Sequence, residues 1–187
     1  MNGFIRIIGG KWRGRKLAVL DNEGLRPTTD RVKETLFNWL MPIITDSSCL
    51  DCFSGSGSLA FEALSRGAKQ AILIEKNKSA AMQLAKNKQL LQTSNCEITN
   101  ADTLSWLKQT AYQQFDVVFI DPPFHQKLVP QTIILLEQNS WLKSDAYIYI
   151  ETEKNGLHPN HIPPIWQLYR EKISGQVHSY LFIREQI

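Results

Sequence analysis

The chain has 187 residues, 43% hydrophobic and 21% charged, which is enough apolar material for one compact domain with a substantial core. No apolar run approaches the ~18 residues of a membrane-spanning helix, and no charged-then-apolar leader opens the chain, so a cytoplasmic location is expected. Three cysteines are too few and too odd in number for a disulfide framework, and the net charge of +3 is unevenly placed.

Residues 1–40 carry eight Lys/Arg against four acids, a net of +4, leaving −1 for the rest. Five of those cations, Arg6, Lys11, Arg13, Arg15 and Lys16, lie in one acid-free stretch interleaved with Trp12 and glycines. Two β-type runs flank Gly9-Gly10, which predicts a tight hairpin. Arginine forks suit phosphate oxygens and an aromatic ring can stack on an unpaired base, so this hairpin is the expected nucleic-acid surface, with Trp12 as its stacking residue. The competing reading is a solvated edge protected by charge.

Arg26-Pro27-Thr28-Thr29-Asp30 predicts a loop entering a helix, capped by Thr28 or Thr29, with Val32, Leu36, Phe37 and Leu40 on its buried face. Residues 48–53 then read as a strand. Cys49 and Cys52, three apart on it, point to opposite faces, and no metal site is expected. A small-residue loop and a helix follow, then a strand over 71–75, a helix over 77–92, a short strand over 97–99 and a helix opening at Asp102. Residues 115–120 form the fourth strand, 129–142 a helix and 146–151 the fifth strand. After a Pro-rich connection, Ser174-Gly175 joins two closing strands. The alternation predicts an α/β fold, a Rossmann-like doubly wound sheet of seven mostly parallel strands with a C-terminal antiparallel hairpin.

Gly55-x-Gly57-x-x-Ala60 directly after a strand, with Glu75 about 20 residues on, is a nucleotide-binding fingerprint. Dinucleotides and S-adenosylmethionine both use such a loop. Asp51 separates them. A carboxylate directly below the loop would repel a phosphate by about 1–4 kcal/mol at ~4 Å, whereas it attracts the ammonium of a methionine moiety. S-adenosylmethionine is therefore the expected cofactor. Asp102, after the third strand, can accept from an adenine amine or cap its helix. The expected cofactor residues on the sheet side are Asp51, Phe53, Gly55, Ser56 and Gly57, then Glu75, Lys76, Ala101, Asp102 and Asp121.

The strand over 115–120 stops on Asp121-Pro122-Pro123-Phe124. The prolines have no N–H for a ladder and must leave the sheet as a stiff loop at its carboxyl edge, where α/β sheets bind ligands. An exocyclic base amine is a poor nucleophile because its lone pair is delocalised. The Asp121 carboxylate and the Pro122 carbonyl can accept both amine hydrogens and aim the lone pair, while Pro123 stiffens the loop and Phe124 offers a stacking ring. His125 is needed for no step.

These spans, above all Arg6-Ile7-Ile8-Gly9-Gly10-Lys11-Trp12-Arg13-Gly14-Arg15-Lys16-Leu17, the stretch from Arg26 to Leu40, Glu62-Ala63-Leu64-Ser65-Arg66 and Asp121-Pro122-Pro123-Phe124, resemble the ribosomal RNA small subunit methyltransferase D family. The resemblance implies a class I methyltransferase acting on the N2 amine of a guanine in 16S rRNA. It also implies assembled small subunits as substrate, with ribosomal proteins near the target and a monomeric enzyme. By the same resemblance Thr29 joins the cofactor site and Arg31 the RNA surface. A basic hairpin extension over residues 1–25 and a methyltransferase domain over 26–187 are the expected parts. Ala60, Ser54 and Ser58 depart from the family's more usual small residues. The motifs alone leave open an amine of another RNA base or of DNA adenine, a dinucleotide oxidoreductase, and a non-catalytic RNA-binding module.

Overall fold

The structure, a computed structural model, describes residues 3–20 and 29–185. Arg26, Pro27, Thr28 and the expected part boundary at 25/26 lie outside the described residues. An N-terminal pair, β1 (Gly3–Arg6) and β2 (Lys16–Val19), precedes α1 (Asp30–Leu40). Strands and helices then alternate as β3 (Ser48–Asp51), α2 (Ser58–Ser65), β4 (Gln70–Ile74), α3 (Lys78–Leu90), β5 (Cys96–Thr99), α4 (Thr103–Leu107), β6 (Phe115–Ile120) and α5 (Leu128–Gln138). The chain closes with β7 (Leu142–Glu153), β8 (Trp166–Ser174) and β9 (Val177–Arg184).

The seven-stranded sheet has the order β5-β4-β3-β6-β7-β9-β8, with parallel pairing from β5 to β7 and antiparallel pairing of β9 to both its neighbours. The central strands read as unbroken apolar runs because both faces are covered. Cys49, Val117, Phe119 and Tyr149 face the cluster under α1, α2 and α3. Leu50, Val118, Ile120 and Ile150 face the one under α4 and α5. The later strand of the closing hairpin, β9, sits inside the sheet, and β8 takes the edge. Mostly exposed residues and an irregularity between Leu168 and Arg170 suit β8 to that place.

Three sequence expectations change. The helix expected over 129–142 ends at Gln138, Ser140 turns with φ 63°, and Trp141 is wholly buried. Trp141 donates from Nε1 to the Leu107 carbonyl at 3.1 Å and stacks on Trp106, so its apolar bulk plugs a helix end. In α1 the first inward residue is Lys33, 1% exposed, while Val32 is only half-buried.

The N-terminal hairpin is the third change. Its strands pair as expected, with Arg6 opposite Lys16, but Gly9-Gly10 is no tight turn. Residues 7–15 bridge the strands through a 3-10 turn at Gly10–Trp12. Gly10, at φ +75°, lies so close to the end of α2 that a Cβ would fall 1.9 Å from the Ser65 carbonyl oxygen. It is glycine for close approach. Trp12 is buried and donates its backbone N–H to Ser65 Oγ at 2.9 Å. A ring held there cannot stack on a base, and that expectation is withdrawn.

Glu62, fully buried on α2, fastens the hairpin. It accepts the backbone N–H of Ile8 at 3.0 Å and of Gly9 at 2.9 Å, and the Arg66 guanidinium at 2.8 Å. Lys33 Nζ lies 3.5 Å from Glu62 and donates to the Arg6 carbonyl at 2.5 Å. Burial holds the Lys33 ammonium below its ordinary pKa, opposed by the charges of Glu62 and Asp30. Glu62→Ala is expected to strand a buried ammonium and two part-buried N–H groups and to lower stability by about 3–5 kcal/mol. Urea unfolding checks this, and a loss below about 1 kcal/mol would mean the network contributes no more than an exposed ion pair.

Candidate active site

The carboxyl edge of the parallel strands gathers the residues singled out in the sequence. After β3 the chain turns through Gly55 (φ 52°) and Gly57 (φ 77°) into α2. The loop is closed by Gly57 N–H to the Ser54 carbonyl at 2.7 Å and by Ser54 N–H to the Ile74 carbonyl at 2.9 Å. A Cβ on Gly57 would lie 2.6 Å from Leu84 and Phe61 side-chain atoms, so the loop is bare because it is squeezed against α3 and α2. Ser56 is half-exposed beside it, lining a small cleft with Leu20, Gln83 and Leu84.

Glu75, one residue past β4, accepts from Gly55 N–H at 2.8 Å and from Asn77 N–H at 2.7 Å. Thus the acid expected to take ribose hydroxyls also ties the glycine loop to the next strand. Lys76 is exposed and lies 3.5 Å from Asp102. Asp102 caps α4 through Ser105 N–H at 3.0 Å; that bond, with Lys76 nearby, holds its carboxyl below the usual range despite slight burial. Ala101 donates its N–H to the Glu75 carbonyl at 3.2 Å, so 75 and 101–102 form one rim. Phe53 is half-buried against the second core cluster.

Asp51 ends β3 at 2% exposure. Its Oδ1 is a buried atom with no hydrogen-bond partner among the described residues. Burial pushes its carboxyl up to about 7, with backbone N–H bonds from Phe53 and Ala60 pulling down and the charge of Glu75 pushing further up. A buried oxygen that lacks a donor fits a cationic group delivered from the loop side.

Asp121 follows β6, the central strand beside β3, and is half-buried. Pro122 is buried, Pro123 exposed and Phe124 half-buried. His125 (φ 65°) and Lys127 (φ 52°) complete a loop that crosses toward β7, where His125 Nδ1 lies 3.7 Å from Glu153. Ile120 pairs with Ile150, which sets Asp121 beside Glu151 on the neighbouring strand. Glu151 was legible only as a strand end. Its signal is the alternation that puts Tyr149 and Glu151 on the face of Phe119.

The cations separate into engaged and open groups. Arg6 pairs with Asp30 at 2.6 Å, Arg15 donates to the Leu90 carbonyl at 3.1 Å, and Lys11 sits over the Trp12 ring at 4.4 Å. Arg13, Lys16 and, at the start of α1, Arg31 are exposed. Thr29 caps α1 by accepting from Val32 N–H at 3.3 Å. The two cysteines of the Cys-x-x-Cys pattern lie in different core clusters, on opposite faces of the sheet, and burial pushes the Cys49 thiol up to about 12.

A family described as "Conserved hypothetical protein 95" matches residues 5–183. The Escherichia coli K12 protein named ribosomal RNA small subunit methyltransferase D is 54% identical over 185 residues, covering 98% of this chain and 92% of that one. The Haemophilus influenzae protein of the same name is 56% identical over 183 residues, covering 96% and 94%. Among solved structures, Escherichia coli yhhF superposes with a TM-score of 0.91 at 51% identity, covering 98% of this chain and 99% of that one. At 19% identity the Thermus thermophilus TrmN structure, TM-score 0.68, covers 83% of this chain and 48% of that one and shares the fold. With matches that run nearly from end to end, the chain belongs to the ribosomal RNA small subunit methyltransferase D family.

Proposed function

We propose that this protein moves a methyl group from S-adenosylmethionine to the exocyclic N2 amine of a guanine in 16S rRNA within the small ribosomal subunit, acting as a cytoplasmic monomer. The observation that carries the reading is a buried oxygen on Asp51, without a partner among the described residues, beneath a bare glycine loop and one strand away from Asp121. The names of the close relatives support the rRNA substrate.

The cofactor supplies an electrophilic sulfonium methyl. The chain's own residues do the rest. Asp51 accepts the ammonium, Gly55, Ser56 and Gly57 leave room for the methionine chain, and Glu75 takes ribose hydroxyls in exchange for its backbone partners. Phe53, Lys76, Ala101 and Asp102 border the adenine, with Thr29 approaching from α1. Asp121 and the Pro122 carbonyl accept the two amine hydrogens and aim the nitrogen lone pair. Pro123 limits the loop's freedom and Phe124 stacks the extruded base. After transfer the excess proton leaves to Asp121 or water. No strong base is required, because the amine becomes acidic once alkylated.

The hairpin over 1–25 serves in this reading as the RNA-facing extension of the 26–187 body. Its open cations Arg13 and Lys16, with Arg31, meet phosphates first. Arg6, Lys11 and Arg15 contribute as they exchange their present partners.

Asp121→Ala is expected to cut turnover about 10²–10³-fold while S-adenosylhomocysteine is still bound. Nucleoside analysis of labelled small subunits reads this out. Label in methyladenosine, or full activity in the variant, would overturn the reading.

A pH dependence follows from Asp51. Its carboxyl titrates near 7 in the fold, above its ordinary 3.8, so the protein holds an extra proton between those values. Charging the buried group costs free-protein stability as pH rises through about 7, while the ligand ammonium needs the charged form. Affinity for S-adenosylhomocysteine should therefore rise between pH 5.5 and 7.5, at most about tenfold per unit. Calorimetry should find that rise flattened in Asp51→Asn, and an equal slope in both proteins would exclude Asp51 as its source.

Arg13→Gln with Arg15→Gln should weaken subunit binding and lower the salt slope by roughly 1.4–1.8 for two lost phosphate contacts, with cofactor affinity unaltered. An unchanged slope would leave the hairpin a solvated edge.

A further inference from the structure

The end of β7 holds a buried polar cluster that the chemistry above does not use. The Tyr149 hydroxyl donates to Glu151 Oε2 at 2.9 Å and lies 3.1 Å from Ser179 Oγ. Tyr149 is fully buried and Glu151 is 7% exposed. Phe119 pairs with Tyr149 and Ile120 with Ile150 across β6 and β7, so Asp121, just past β6, and Glu151 come at the next register position. The charge of Asp121 acts on the Tyr149 phenol as that of Glu151 does. The Tyr149 hydroxyl thus holds one carboxylate by a hydrogen bond and feels the charge of a second, that of the proposed amine acceptor.

Base chemistry gives the second carboxylate a task. Adenine and cytosine flank their exocyclic amine with an unprotonated ring nitrogen. Guanine flanks its N2 amine with the N1–H donor. An acceptor seated beside the amine site therefore gains a hydrogen bond from guanine and meets a lone pair on the other two. Buried polar groups discriminate strongly in this situation, because the wrong base leaves them unpaired away from water. A carboxylate has about four acceptor positions, so the Tyr149 bond and a base N–H are compatible.

We infer that Glu151 reads the ring N1–H of the target and selects guanine over adenine and cytosine, with Tyr149 as the positioning residue that fixes its carboxylate. This rests on the guanine-N2 reading above. It adds the residue that would enforce that choice.

A purely structural Glu151 could be replaced by glutamine, whose amide oxygen still accepts from Tyr149. The test uses small subunits carrying either guanine or 2-aminopurine at the mapped target position; 2-aminopurine keeps the 2-amine but has a bare N1. Wild type should prefer guanine by about 100-fold or more in kcat/KM. Glu151→Gln should lose about 100-fold on guanine and reverse the preference, since its amide can donate to a bare N1, with S-adenosylhomocysteine affinity unchanged. Tyr149→Phe should narrow the wild-type preference. An equal loss on both bases, or full activity of Glu151→Gln on guanine, overturns the assignment. Should that variant fail to fold, a wild-type enzyme indifferent to the two bases overturns it alone. Absence of N2-methylguanosine with wild type defeats the guanine-N2 reading itself, and this assignment with it. Wild-type activity with an unaffected Glu151→Gln defeats only the role of Glu151.

Discussion

The carboxylate of Glu62 is the contact on which the arrangement depends. It is fully buried, and its two oxygens are shared among the hairpin backbone, the Arg66 guanidinium and the Lys33 ammonium. Helix α2, which carries it, begins at the glycine loop and ends under Gly10 and Trp12. One eight-residue helix therefore holds the candidate cofactor loop at its N-terminus and the basic hairpin at its C-terminus. Lys33 draws in α1, whose first turn carries Thr29 and Arg31. An apolar residue at 62 would leave the two hairpin N–H groups without their acceptor and a buried lysine without its counter-charge, which costs more than the burial would return.

The carboxyl edge poses the opposite problem. Asp51, Glu75, Asp121 and Glu151 lie at or just past the carboxyl ends of neighbouring strands, so like charges accumulate along one edge of the sheet. Three of the four are handled differently. Glu75 takes two backbone N–H groups, Glu151 takes a phenol, and Asp51 is pushed toward neutrality by burial. A ligand that brings an ammonium and a sulfonium relieves this crowding, whereas one that brings a pyrophosphate adds to it. The electrostatics of the edge thus favour the same class of ligand as the single Asp51 argument, now with the neighbours included.

Periodicity made the fold readable. Unbroken apolar runs ending in acids, separated by helical repeats, specify parallel strands with covered faces, and the loops then fall at one edge. What pattern could not reveal was partnership. Phe4 and Trp12 both sit near the basic stretch, yet strand parity leaves Phe4 66% exposed while the 3-10 turn buries Trp12. Lys33 looked like a surface cation because its acceptor, Glu62, comes 29 positions later on another helix. Trp141 extended an apparent helix because an apolar plug and a helical face have the same composition. Glu151 acquires interest only when register sets it beside Asp121.

Asp121 itself is sharpened by these neighbours. At the strand end it could be a turn acid, a general base or an acceptor. Pro122, buried against the sheet, and the positive φ angles of His125 and Lys127 fix the path of the loop that follows, so the carboxylate is presented in a narrow range of positions. A group held this way, with a second carboxylate on the neighbouring strand, is better suited to ordering hydrogen-bond donors than to removing a proton before attack. The chemistry needs a lone pair pointed along the transfer line. In the proposed reaction two fixed acceptors on one amine supply that by geometry, and Glu151, held by the buried hydroxyl of Tyr149, is proposed to extend the same logic to the base's next donor.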